Sequence, residues 1–447
     1  MIIEINDKNI KRIKNVKLAS YAARYLDIYN DYLKQITRTG LNMAAPYDAQ
    51  FIKNKKKALV SKGAISRNNG YSLYVNRISE ACEACQKGIG GITFFIDLNC
   101  IRKCFFCFNP NQENYSYFLK NKRDCISELK RIHHQGMLIK HLALTGGEPL
   151  LHPDETIDFF KTAKALYPKV FTRLYTCGDL INRDILKRLK NTKLDEIRFS
   201  LRVEDSPEET SNVLQKIQSA KEYIPKVMVE MPVIPGNYSL MENFLRELDN
   251  IGVFGINLLE FCFPFNNAEE FCKRKLKIKN PPHHILYNYW YGGGLPVAES
   301  EKGCLELLEF ALEEKLKVGV HYCSLENKHT AQIFQQNKRA KLPPHIYMSN
   351  KDYFLKSAKV FGDDRQKVLE IFNKIGYQDY LINEGHENIE FHVGKIKYLK
   401  GLDIEIGIVT GIMEEREDGL YFRELKIDLA YPQNFEKTRN GDTTVEL

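Results

Sequence analysis

The stretch GITFFIDLNCIRKCFFC, residues 91–107, decides how the chain is read. Its first half, GITFFIDL (91–98), is a short apolar run with β-branched and aromatic residues, the pattern of a buried strand. Its second half sets Cys100, Cys104 and Cys107 in a C-x3-C-x2-C loop directly after that strand. With 11 cysteines in 447 residues, chance supplies roughly 0.007 such triplets, so accident is a poor account of this one.

The rhythm continues downstream. A helix is expected around 114–135, then strand 140–145, helix 154–166, strand 170–176, helix 183–190, strand 195–201, helix 207–222, strand 226–234, helix 239–250 and strand 255–261. Six strands alternating with helices predict βαβ units with right-handed crossovers and a parallel sheet. The fold class is α/β, a partial (β/α)6 TIM-like barrel. After Pro264 the order weakens through a loop holding Pro281, Pro282, His283, His284 and Gly292 to Gly294. Helix 303–316, strand 318–323 and helix 328–341 follow. Alternation at Ile404, Ile406, Ile408 and at Leu425, Ile427, Leu429, about the turn signal Asp418-Gly419, predicts a hairpin in a small β-rich domain. The expected organisation is a basic helical N-terminal extension (1–70), a core with a flanking cysteine knuckle and a closing segment (71–342), and a small α+β C-terminal domain (343–447).

Charge is unevenly placed. Residues 1–70 hold 14 Lys/Arg against 5 Asp/Glu, and the remainder holds 51 against 52. The N-terminal segment (Lys11, Arg12, Lys14, Lys17, Lys53, Lys55, Lys56, Lys57) could meet nucleic acid, although a solvated helical face explains it more simply. No apolar run approaches the roughly 18 residues needed to cross a bilayer. The opening MIIEINDKNIKRIKNVKL lacks an apolar leader core, so a cytoplasmic protein with no membrane partner is expected. In a reducing compartment clustered cysteines point to metal ligation and burial rather than to disulfides.

Three thiolates on one short loop can hold three irons of a [4Fe–4S] cube and leave the fourth open. Zinc is the rival, but a structural zinc site needs four closed ligands and this loop offers three. Gly146-Gly147-Glu148-Pro149 ends the second strand, next to the triad loop on the ligand face of a parallel sheet. Two glycines there would let backbone approach a ligand, and Glu148 would accept from an ammonium group. A side chain at Gly147 is expected to fill ligand space.

On these motifs the sequence resembles the radical SAM superfamily over about residues 90–262. The resemblance implies a [4Fe–4S] cluster on Cys100, Cys104 and Cys107. Its open iron would chelate S-adenosylmethionine, whose reductive cleavage gives a 5′-deoxyadenosyl radical that abstracts a substrate hydrogen. It also implies a cofactor pocket built from Phe106, Gly146, Gly147, Glu148, Ser200 and Ile234, and an electron donor such as flavodoxin or ferredoxin. Cys82-x2-Cys85, LYT about Tyr175, DEIRF (195–199), EMPVIPG (230–236) and HYCS (321–324) are similar to one branch related to pyruvate formate-lyase-activating enzymes. They are also similar to the methyltransferase that modifies an arginine of methyl-coenzyme M reductase. Departures from the methyltransferase pattern leave cobalamin and its substrate uncarried.

Cys82 and Cys85 form a two-ligand knuckle, and with Cys323, and His321 as a fourth candidate, they make a candidate second site for iron, zinc or an Fe–S group. Cys177 and Cys262 fall at strand ends and are read first as ordinary thiols. Of Asn257 and Glu260, alternation admits at most one to the barrel interior. Tyr175 reads as a core tyrosine. The sequence therefore carries two functional hypotheses. One is a radical SAM enzyme acting on an unknown substrate, of which peptide, protein and RNA are candidates. The other is a metal-stabilised RNA- or protein-binding module with no radical chemistry.

Overall fold

The computed structural model describes residues 2–283, 285–286 and 294–435. His284, Gly292 and Gly293 of the expected loop lie outside the described residues. The chain divides into two compact units, one of residues 39–283 and 289–331, the other of residues 1–38, 284–288 and 332–447.

The first unit is built on a nine-stranded sheet. Its parallel strands are β1 (Gly91–Phe95), β2 (His141–Thr145), β3 (Phe171–Thr176), β4 (Glu196–Ser200), β5 (Lys226–Val233), β6 (Gly255–Glu260) and β7 (Gly319–Cys323). Six of these are the expected strands. The seventh, read from sequence as a strand after the barrel, pairs in parallel with β6 from Gly319↔Gly255 to Cys323↔Leu259. Strand Ser72–Val75 pairs antiparallel with β7, and Ile65–Arg67 pairs with Ser72–Val75 in turn. The sheet is an open, partial barrel with β1 at one edge.

Local sequence explains the intervening helices. Pro207–Ala220 opens with a complete capping box, Ser206 with Glu209, and a proline in its first turn. Tyr238–Ile251 stops where Gly252 takes a left-handed φ of 73°. The single helix expected at 114–135 is two, Tyr115–Phe118 and Cys125–His134. The backbone between them is engaged elsewhere: Arg123 N–H donates to Ile96 O (2.7 Å), and Asp124 caps the second helix by accepting from Ser127 N–H.

The expected 1–70 extension is not one piece. Helix Val16–Thr37 belongs to the second unit, where Leu18, Tyr21 and Ala22 share a core with Phe361, Val409, Ile427 and Leu429. Helix Ala49–Ser61 belongs to the first unit, where its lysines meet helix Ser300–Glu313: Lys56 pairs with Glu301 (2.7 Å) and Lys55 with Glu309. Lys62, just past its end, also reaches Glu309, at 2.7 Å. Of the basic residues named above, Lys55 and Lys56 are thus answered by carboxylates of their own unit. The second unit carries an antiparallel sheet in which the expected hairpin, Ile406–Arg416 with Gly419–Ala430, lies beside Leu355–Phe361. Strand Ile2–Ile3 pairs with the hairpin's second strand. No helix among the described residues is long and apolar enough to cross a membrane.

Candidate active site

The site grows from a continuation of the β1–β2 ladder past the strand ends. Gly147 N–H donates to Asp97 O (3.1 Å) and Glu148 N–H to Asn99 O (2.7 Å). These bonds lock GGEP against the residues that lead into the cysteine loop. On the loop's far side Asn109 Nδ2 donates to Gly146 O at 2.8 Å. Gly146 has a φ of 104°, a backbone conformation that favours glycine. An added Cβ at Gly147 would overlap the Asn99 carbonyl. This corrects the expectation for Gly147: the missing side chain makes room for the cysteine loop's own backbone.

A cavity of 290 Å³ opens at the C-terminal ends of the strands. Cys100, Cys104, Cys107 and Phe106 line it from the loop after β1, and Gly146, Gly147 and Glu148 from the end of β2. Tyr175, Cys177, Ser200, Glu230, Pro232, Glu260 and Cys262 line it from later strands or their ends. The two strand-end thiols thus reach the cavity. Ile234 does not line it; it is 4% exposed, and Pro232 stands on the lining in its place.

Glu148 is 1% exposed and already has three donors: Leu150 N–H (3.0 Å), Thr176 Oγ1 (2.9 Å) and Cys177 N–H (2.7 Å). A carboxylate offers about four acceptor positions, so little capacity remains beyond tying β2 to β3. Burial pushes the thiols of Cys100 and Cys107 up from the usual cysteine value. Cys177 is pushed up by burial and by the Glu148 carboxylate beside it. Arg202 donates to Cys104 Sγ at 3.2 Å and pairs with Asp205, while Arg102 holds Asp179 and Asp205.

Beneath the cavity the barrel interior is polar. Register places Ser200, Glu230, Asn257 and His321 in one row across β4 to β7. Arg198 pairs with Glu196 (2.6 Å) and Glu230, and also reaches Ser79 Oγ (3.2 Å) and Cys82 Sγ (3.4 Å). Burial pushes the Tyr175 phenol up, against the pull of Arg198. Asn257 and Glu260 both face inward, contrary to simple alternation. Asn257 bonds Glu230 and His321, and Glu260 sits at the strand end, where regular alternation stops. Removing the cation by Arg198→Met leaves two carboxylates without their partner in the interior. We expect a loss of about 3–5 kcal/mol in urea unfolding; a loss under about 1 kcal/mol would show that the network is not needed for stability.

The knuckle lies on a short helix, Glu80–Cys85. Cys82 faces Arg198 and Asn257, Cys85 is exposed, and Cys323 is buried, its thiol pushed up to about 12 by burial. His321 has both ring nitrogens engaged, with Ser72 Oγ and Asn257 Oδ1, each at 2.8 Å. Among the described residues no three Cys, His, Asp or Glu side chains stand together at metal-ligand distance, the triad included.

The profile of the Radical SAM superfamily matches residues 98–248. A protein of Methanocaldococcus jannaschii, provisionally named a glycyl-radical enzyme activating enzyme, is 27% identical over 315 residues, covering 67% of this chain and 78% of its own. Among solved structures, Streptococcus suis SuiB bound to S-adenosylmethionine is 13% identical with a TM-score of 0.36, over 56% of this chain and 51% of that one. The enzyme anSMEcpe with bound AdoMet and a peptide is 19% identical with a TM-score of 0.32, over 38% and 51%. The chain spans about half the length of each of these two structures.

Proposed function

We propose that the chain is a radical SAM enzyme related to the activating enzymes, and that Cys100, Cys104 and Cys107 hold a [4Fe–4S] cluster at the mouth of the barrel. The observation that carries this reading is that all three thiols and the Gly146–Glu148 segment line one cavity at the strand ends. The donor set suits the group: soft thiolates, one of them beside Arg202, with no fourth cysteine in the loop. When bound, the cluster supplies the electron that cleaves S-adenosylmethionine to a hydrogen-abstracting 5′-deoxyadenosyl radical.

The chain's own residues orient and shield. Gly146 O, held by Asn109 Nδ2, would offer a backbone acceptor to the ammonium of a bound ligand. Glu148 keeps the segment rigid through its bonds to β3. Phe106 packs edge-on against Phe105 and Phe261 and presents an apolar wall; Ser200 adds a hydroxyl at the end of β4.

The relative's name supports a polypeptide as the substrate, and a flavodoxin- or ferredoxin-type reductant completes the reaction. The paired lysines of helix Ala49–Ser61 speak for the enzyme over a nucleic-acid-binding module. Anaerobic reconstitution with counts of iron and sulfide tests this. Near four irons and four sulfides per chain, with absorbance at about 400 nm, are expected; zinc without iron would defeat the enzyme reading.

A second metal on Cys82, Cys85 and Cys323 belongs to the same proposal. Its support is the C-x2-C spacing of the knuckle. A Cys82→Ser/Cys85→Ser variant is expected to lose metal beyond one cube while keeping the first cluster's spectrum. Unchanged metal content would reduce the knuckle to a part of the barrel's polar interior.

A further inference from the structure

We propose that Lys328 is an anchor for a carboxylate group of the substrate, so that the cavity selects an acidic substrate. This rests on the reading of the cavity as a radical SAM active site and names a substrate class for it. Six side chains with formal charge line the cavity: Arg102, Glu148, Arg202, Glu230, Glu260 and Lys328. Five already have partners. Arg102 holds Asp179, Arg202 holds Asp205, Glu230 holds Arg198, and Glu260 holds Lys279 and the Leu325 N–H. Glu148 has its three donors. Of these six, Lys328 alone has no side-chain hydrogen bond or ion pair among the described residues.

Its placement is built rather than accidental. Glu260 Oε2 accepts from the first N–H of helix Leu325–Asn337 at 2.9 Å, and Ser324 Oγ accepts from Asn327 N–H at 2.9 Å. These two bonds fix the helix start over the ends of β6 and β7 and carry Lys328 to the cavity. Burial works against its charge, and the Glu230 carboxylate on the same lining favours it. An ammonium group with three donors and no acceptor, facing a partly enclosed cavity, is completed by an anionic oxygen ligand. A carboxylate can come from an acidic side chain of a peptide or from a free small acid, and the test separates them.

Acetylation of Lys328 by an N-hydroxysuccinimide ester, read by peptide mass mapping on the reconstituted protein with S-adenosylmethionine present, is the first measurement. The probes are acetyl-Gly-Glu-Gly-amide, its Gln counterpart, and glutarate. Protection by the Glu peptide and not by the Gln peptide is expected; protection by glutarate alone would assign a free acid as the source. Equilibrium dialysis of the protective probe against wild type, Lys328→Arg and Lys328→Met is the second. Affinity should fall about tenfold or more in Lys328→Met and be largely kept in Lys328→Arg. No probe binding, equal affinity in Lys328→Met, or protection by S-adenosylmethionine without a probe would overturn the proposal. Loss of S-adenosylmethionine cleavage with carboxylate binding intact would instead strike the enzyme reading and leave the lysine site standing.

Discussion

Replacing Cys100, Cys104 or Cys107 singly by Ala is expected to bring S-adenosylmethionine cleavage down to background, a fall of more than about a hundredfold. Two thiolates cannot hold a cube in place, and the remaining lining offers no clear substitute. Cys177 and Cys262 also face the cavity, but burial raises both thiols, and Cys177 stands beside the Glu148 carboxylate. Neither is disposed to become a thiolate. Secondary structure should survive all three substitutions, because the triad thiols sit in a loop and carry none of the barrel's core contacts. Reductive cleavage retained by any one variant would move the cluster away from this loop.

Gly147→Val should lose both the fold of the loop and its iron, a larger effect than a blocked ligand pocket would give. The new Cβ would overlap Asn99 O, the atom that accepts from Glu148 N–H, so the ladder joining β1 to β2 beyond their ends must part. Severe overpacking of backbone belongs with the strongest single-residue effects, about 3–5 kcal/mol. The melting temperature should fall by several degrees, and iron bound after reconstitution should fall with it. Gly147→Ala should show the same direction, since the clash begins at Cβ. A Gly147→Ala protein with wild-type melting temperature and iron content would mean that the loop has freedom to move aside.

The barrel was legible in the sequence because its parallel strands read as apolar runs, and GITFFIDL, KHLALT and KVMVEMPVI have that form. The triad and GGEP were legible because their spacing is rare. The seventh strand was harder to place: VGVHYC announces a strand but not its neighbour, and parallel pairing with β6 is a long-range fact. The polar interior was missed, although a signal was there. Glu196, Arg198, Ser200 and Arg202 alternate along β4 and its end, and charges at a period of two cannot face packed helices. Lys328 left no such trace, because nothing local in LENKHTAQ sets it over a cavity. The N-terminal boundary failed for a related reason. Helix Val16–Thr37 has an apolar stripe in LASYAARYLDIY that announces burial without naming its partner, and the partner strands lie more than 300 residues downstream.

The fate of S-adenosylmethionine with the anaerobic, iron-reconstituted protein under dithionite tests the proposed chemistry most directly. Chromatographic quantification of 5′-deoxyadenosine and methionine should show both products in equal amounts, absent without reductant and absent from each triad variant. Iron-loaded, reduced protein that leaves S-adenosylmethionine intact would contradict it.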